Sequence, residues 1–465
     1  MISVKAQKSP VLGQTDLFRS RLENLVDHNY ELVVLAEKIN WDFFDGKFGC
    51  DFSDDNGRPA LRTRLMVGLQ YLKYMYDESD ENVVKRFLEN PYWQFFCGNE
   101  YFEHEVPCHP TSIVRWRKRI GVKGAEKMLL ETIELAKRAN IVSSEDLTEV
   151  YVDTTVQPKN ISYPTDAALT DTVRRSLVRL TDEQGIKLRQ TYRRLGRKSL
   201  QLHIRLKHSK DHKGARKHLR KLRTYLGRVI RDIKRKVANP IGKLAHLLDL
   251  AQKIYSQRTA TKGKIYSVHA PEVQCIAKGK AHKPYEFGSK VSIATTVKSN
   301  LIVSVHSFVN NLFDGHTISD VLCQIKTVVG AYPKAAYCDR GYKGSAGTIF
   351  LTNVFLQGSK TEVTDKIKKR LRSRSAIEPV IGHIKSDHRM GRNFLLGFQG
   401  DQINALMAGC AFNMKKILRA VLFYLFSFTL ISRQAANMIR TLKNCHFRGY
   451  LPAQRFALNF KVVVQ

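Results

Sequence analysis

The chain has 465 residues, 43% of them apolar, which is enough for roughly two to four domains with cores of ordinary size. Its 77 Lys and Arg against 42 Asp and Glu leave a formal charge of +35. Such an excess repels itself in a compact state, so it argues for a polyanionic partner, nucleic acid above all, over a protein that is merely basic.

The first ten residues lack the apolar core of a signal peptide, so a cytoplasmic protein is expected. A turn is expected at 53–59, where Asp54-Asp55-Asn56-Gly57 precedes Arg58-Pro59. Leu65, Leu69, Leu72 and Met75 then recur at helical spacing over 61–76. A second helix is expected over 79–88, capped by Ser79. The aromatic run Tyr92-Trp93-Gln94-Phe95-Phe96 follows. Cys97, His104, Cys108 and His109 lie close together, but at irregular spacing, and none of the eight cysteines forms a Cys-x-x-Cys pair. Free thiols in a reducing compartment explain them better than a zinc site. A third helix begins near Thr111 and carries Arg115, Arg117, Lys118 and Arg119, which suggests a helix-turn-helix-like reader in an all-α DNA-binding domain over 1–140. A further helix is expected over 123–139.

The pattern then changes to β-branched residues around Tyr151-Val152-Asp153-Thr154-Thr155-Val156, which reads as a strand. Residues 145–166 are taken as the first part of an α/β domain. Over 171–260 there are 26 Lys or Arg against six Asp or Glu, with Leu195, Leu200, Leu202, Leu219, Leu222, Leu226 and Ile230 interspersed. Regular leucines among like charges predict hairpinned amphipathic basic helices, an insertion over 167–260. The α/β domain resumes over 261–420. Strands are expected at 264–268, 285–294, 301–308, 335–339 and 353–357, the second and third as a hairpin. Helices are expected over 317–329 and, long and basic, over 364–388. A mixed sheet with helical layers follows from that order. The apolar run 421–432 is about a dozen residues against the roughly 20 that span a bilayer, so it reads as a buried helix within a C-terminal tail over 421–465, and no membrane is expected.

Asp153 and Asp339 stand on strands and Glu378 on the long helix. Three carboxylates converging at one end of a sheet suit phosphodiester chemistry, in which two hard cations about 3.5–4 Å apart clamp the attacking and leaving oxygens. On a continuous helix Arg374, Glu378 and Lys385 share one face, so the acid would hold metal while the cations hold DNA phosphates. Arg340 and Lys343, beside Asp339, are candidate phosphate contacts. His316 follows Asp314-Gly315 at a helix start and is weighed equally as a site residue and as a capping-turn histidine.

These residues, with Tyr163-Pro164-Thr165-Asp166, Tyr266-Ser267-Val268-His269-Ala270-Pro271-Glu272-Val273, Lys278-Gly279-Lys280, Pro284-Tyr285-Glu286-Phe287-Gly288, Asp314-Gly315-His316-Thr317 and Asp339-Arg340-Gly341-Tyr342, resemble the IS5-type bacterial insertion-sequence transposases of the IS4/IS5 group. The spacing Arg374, Glu378, Lys385 resembles that group's signature. The resemblance implies a ribonuclease-H-like mixed sheet interrupted by the basic α-helical insertion. It implies Asp153, Asp339 and Glu378 as ligands of Mg2+ or Mn2+, with two ions expected, and metal-dependent strand cleavage and transfer. The implied partner is double-stranded DNA, both element ends and target, engaged by a homodimer. Leu371 stands where the signature has a tyrosine, and Trp41, Trp93 and Trp116 all precede the α/β domain, so a hairpin intermediate is not expected. An inactive transposase-derived DNA-binding protein and a nuclease without joining activity are the rival readings.

Overall fold

The computed structural model describes residues 20–49, 60–258, 261–277, 284–345, 347–358 and 364–446, with side chains to 423. The turn expected at 53–59, Lys278-Gly279-Lys280 and the tail beyond 446 lie outside the described residues.

Seven helices come first: α1 (Leu22–Leu25), α2 (Glu31–Lys38), α3 (Trp41–Phe48), α4 (Thr63–Met75), α5 (Asp80–Glu89), α6 (Pro91–Phe96) and α7 (Pro110–Arg138). Ser79 caps α5 as its position predicts, its side chain accepting from the Asn82 N–H. The aromatic run forms α6, and Asn90 caps it ahead of Pro91. The two helices expected near 111–139 both form, as two segments of α7 parted at Gly121, whose backbone leaves the helical region at φ 58° and ψ −159°. That conformation suits glycine, which has no Cβ to clash.

The strand β1 (Glu149–Pro158) leads into the basic insertion. There α8 (Asp166–Glu183), α9 (Arg193–His208), α10 (His212–Lys236) and α11 (Gly242–Ser256) form the expected helical module. It has a core of its own, built on Leu169, Val173, Leu177, Leu226, Val229, Ile233, Leu248 and Ala251. Leu195, expected to be part of this packing, is half exposed.

After the insertion come β2 (Gln274–Ala277), β3 (Tyr285–Thr296), β4 (Ile302–Phe308), α12 (Ile318–Val329), β5 (Ala335–Cys338), β6 (Gly347–Ile349), β7 (Thr352–Leu356), α13 (Asp365–Arg372), α14 (Ile377–Asp387) and α15 (Gly397–His446). The strand order is β2-β3-β1-β5-β7-β6, with β4 beside β3. The β1–β3, β3–β4, β2–β3 and β6–β7 pairs are antiparallel, while β1–β5 and β5–β7 are parallel. This is the expected mixed sheet, extended by the unexpected strands β2 and β6 and with two corrections. No strand forms at 264–268; Ile265 and Val268 instead cover the core of the helical module. The long helix over 364–388 is broken by a 3-10 turn at Ser373–Ala376. Pro379 explains the break, because it has no N–H to give the carbonyl four residues back and is tolerated only in a helix's first turn.

One apolar core runs from α2 and α4 through the sheet to α15, so the first helices and the α/β layer are packed as a continuous body. Helix α15 also finishes the edge strand β4. Asn413 accepts from the Ile302 N–H at 2.9 Å and donates to the Ile302 carbonyl at 2.8 Å. Gln402 bonds the Ser307 N–H and the Val305 carbonyl, and Gln324 of α12 accepts from the Val305 N–H at 3.0 Å. Side-chain amides thus close an edge that would otherwise offer free pairing groups. Among the described residues no helix is long and apolar enough to cross a membrane.

Candidate active site

Strands β1 and β5 run side by side in parallel, with Tyr151 opposite Tyr337. Asp153 and Asp339 each lie two residues further on. A strand's side chains alternate in direction, so both acids project from the face that carries the two tyrosines. That face is covered by Leu371 of α13 and Ile377 of α14, which pack on Tyr151 and Tyr337. Leu371 is therefore a core residue at the position where the transposase signature has a tyrosine. The crossing chain brings the 3-10 turn at Ser373–Ala376 directly over the acids.

Arg374, in that turn, is 8% exposed. Its Nη1 donates to Asp153 Oδ2 at 3.1 Å and its Nη2 lies 3.6 Å from Asp339 Oδ1, so one guanidinium spans both carboxylates. Asp153 Oδ1 also accepts from the Thr154 N–H at 2.7 Å. Burial pushes the Asp153 carboxyl above the usual range, outweighing the Arg374 charge that pulls it down. Burial likewise pushes up the neighbouring Cys338 thiol, and the Asp153 charge adds to it. A partly buried acid beside a second acid calls for positive charge, and here the protein supplies it from the buried Arg374.

Glu378 does not join this pair. It is exposed in the first turn of α14, and none of the described ion pairs takes it. The expectation that Arg374 and Glu378 share one helical face fails with the helix break: Arg374 turns inward to the acids and Glu378 outward. Lys385 is half-buried further along α14. Among the described residues no three Asp, Glu, His or Cys stand together as a metal-holding group. The donor chemistry of the pair nonetheless fits a hard divalent cation, since it offers carboxylate oxygens on adjacent strands already bridged by a cation. A third ligand from Glu378 requires that side chain to turn in.

A fourth acid belongs to this neighbourhood. Asp314 accepts from Thr154 Oγ1 at 2.9 Å and pairs with Lys290 Nζ at 2.6 Å. A Cβ on Gly341 would lie 2.9 Å from Asp314 Oδ2, so a larger residue there would push this carboxylate aside. Tyr342, fully buried, brings its hydroxyl within 3.4 Å of Ser292 Oγ beneath the acids. The Asp314-Gly315-His316-Thr317 motif therefore contributes its aspartate. His316 is exposed and packs edge-on to Phe313. The available signal was a pair of turns that each join an acid to a glycine, Asp314-Gly315 and Asp339-Arg340-Gly341; a Cβ on Gly315 would lie 3.0 Å from the Lys343 carbonyl oxygen. Arg340 and Lys343 are exposed on the loop after Asp339.

The basic helix divides into two kinds of residue. Arg115, Lys118 and Arg119 are exposed on α7, and Arg115 and Arg119 line a cleft of about 730 Å3 with Trp116 and Lys85. Arg117 is 4% exposed and pairs with Asp80, which also takes Lys73 Nζ at 2.7 Å. It is thus a core ion-pair residue, a correction to its expected place on the DNA-facing surface. Cys97 and Cys108 are buried free thiols, and His109 caps α7, its ring accepting from the Thr111 N–H, so the irregular Cys/His group has other employment.

Residues 20–119 match a family described as a transposase domain, DUF772. The chain is 49% identical over 190 residues to a Rhizobium meliloti protein described as uncharacterized protein ORF8 in the nfe locus; the match covers 41% of this chain and 91% of that protein. No solved structure matches the chain.

Proposed function

Because the chain belongs to one family with the nfe-locus ORF8 protein of Rhizobium meliloti and its residues 20–119 match a transposase domain, we propose that it is a DDE transposase of the IS5 type, cutting and joining DNA at the ends of an insertion sequence. The observation that carries this reading is the pair Asp153 and Asp339, level on adjacent parallel strands and bridged by Arg374. The sheet supports it too: a first strand with an antiparallel hairpin on one side and parallel crossover strands on the other suits a ribonuclease-H-like catalytic layer.

In this reading Asp153 and Asp339, with Glu378 turned inward, would hold Mg2+ or Mn2+, which would supply Lewis-acid stabilisation of the phosphoryl oxygens. Arg374 balances the charge of the two acids and stands beside them as a contact for a DNA phosphate. Arg340, Lys343 and Lys385 hold the strand beside the acids, while Arg115, Lys118 and Arg119 follow the backbone further out. Hydrolysis at the element end breaks one P–O bond and leaves a 3′ hydroxyl. That hydroxyl then attacks a target phosphodiester, forming a new P–O bond as the target 3′ oxygen leaves. Two ends must meet for the second step, so a homodimer on DNA is part of the proposal.

The test is strand cleavage and transfer with paired end oligonucleotides in Mg2+ or Mn2+. Asp153→Asn, Asp339→Asn and Glu378→Gln should each abolish both steps, while Mn2+ binding measured directly should weaken in the two aspartate variants. Wild-type cleavage in Glu378→Gln removes that residue from the site. Binding without cleavage in any metal supports an inactive DNA-binding protein, and cleavage without joining supports a nuclease.

A further inference from the structure

The helical module carries a concave basic site remote in sequence from the acids. Arg189, Tyr192, Arg228, Arg231, Lys234 and Arg235 line a cleft of about 720 Å3. On α10 the apolar Leu226, Val229, Ile230 and Ile233 face the module's core. Arg228, Arg231 and Arg235, at i, i+3 and i+7, rise on another face, exposed over about 10 Å of helix. None of the three is needed to bury the module's core.

Tyr192 sits in the left-handed region at φ 54°, where a bulky non-glycine residue is a costly exception. Its ring stacks on Tyr225, centroids 4.6 Å apart and planes 10° apart, and its hydroxyl accepts from Arg228 Nη1 at 3.3 Å. The one acid in the cleft, Asp232, is already engaged by the Arg189 N–H at 2.7 Å, by Lys236 at 3.2 Å and by Arg235 at 3.5 Å. So many guanidiniums held in one hollow, with a single shared carboxylate, repel one another until an anion enters.

We infer that this cleft is a second DNA-binding site, gripping the phosphate backbone of duplex DNA away from the point of cleavage. The inference rests on the chain acting on DNA, and it assigns to the insertion a clamp that contributes affinity without base readout. Planar guanidiniums match phosphate oxygens in pairs, and the stacked tyrosines fix the hollow that receives them.

The experiment uses the full-length protein and a fluorescein-labelled random-sequence duplex of 40 base pairs, with anisotropy recorded against NaCl. The triple variant Arg228→Ala/Arg231→Ala/Arg235→Ala should lose at least about tenfold in affinity near 0.1 M salt. Its log–log salt slope should fall by about two to three, since each phosphate contact contributes about 0.9. A control with the same charge change, Lys207→Ala/Lys210→Ala/Lys213→Ala at the exposed α9–α10 turn, should keep most of both. Circular dichroism checks that both variants are folded. Equal losses in the two triples overturn the cleft in favour of net charge, and no loss in the arginine triple overturns it outright. Tighter binding to an RNA of the same length, lost in the arginine triple, overturns the assignment to DNA. Anisotropy recorded in metal-free buffer reads binding without any cleavage, so failure of the cleavage reading leaves this result separate.

Discussion

The substitution Arg117→Ala separates the two kinds of arginine on α7. Arg117 is buried, bonded to Asp80, and lies 3.4 Å from Gln70 Oε1. Removing one member of a buried ion pair costs about 3–5 kcal/mol, because the remaining charge is stranded. Here Asp80 keeps Lys73 at 2.7 Å, so the lower end applies, about 3 kcal/mol, with some of it coming from the space the side chain leaves. Arg115→Ala, by contrast, removes an exposed side chain and should change stability by no more than about 0.5 kcal/mol. The assay is urea denaturation followed by tryptophan fluorescence, with Trp116 next to the site, alongside duplex binding of each folded variant. Arg117→Ala should lower the denaturation midpoint while retaining affinity in the folded fraction, and Arg115→Ala should do the reverse. Matching midpoints for the two variants, with affinity lost only in Arg117→Ala, would refute the ion-pair argument.

Gly288→Ala should disrupt the β1–β3 pairing, since the new Cβ would lie 1.9 Å from the Gln157 carbonyl oxygen. A backbone clash of that kind should cost at least about 1–3 kcal/mol in urea denaturation, and unchanged stability would count against the register. Asn413→Ala strands both the N–H and the carbonyl of Ile302 on the edge strand. It should cost about 1–3 kcal/mol and increase aggregation at high concentration, read by light scattering. Asp401 accepts from Lys159 at 2.6 Å, and burial pushes its carboxyl from the ordinary 3.8 up to about 6. Its folded pKa is raised, so its contribution is fully present below pH 3.8 and lost as pH rises through about 6. The stability of wild type relative to Asp401→Asn should therefore fall between those pH values, and a flat or rising difference would show the acid to be ionised throughout.

What the sequence could tell depended on whether function and packing used the same pattern. The hairpin of β3 and β4, the helix α12 and the strand β5 follow their apolar periodicity, because each buries a regular face in one core. The strand β2 was missed because Gln274 and Cys275 give no alternating signal; its place is set by partners on β3, from Gly288 to Tyr285. Arg117 was misplaced for the opposite reason. A run of cations reads as a solvated face, yet Ile113, Trp116, Arg117 and Ile120 follow the i, i+3, i+4, i+7 stripe of a buried one, and that stripe was visible in the letters.

Arg374 shows where such reading ends. The spacing of Arg374, Glu378 and Lys385 is linear information, and turning it into a shared face assumed an unbroken helix. Pro379 carried the contrary signal, a helix that has to restart. The restart places Arg374 in a 3-10 turn, inward, where it bridges Asp153 and Asp339. It also leaves Glu378 in the first turn of the new helix, exposed. A residue pattern that reads as one surface is thus split in two: an arginine that balances the two aspartates, and a glutamate exposed on the next helix.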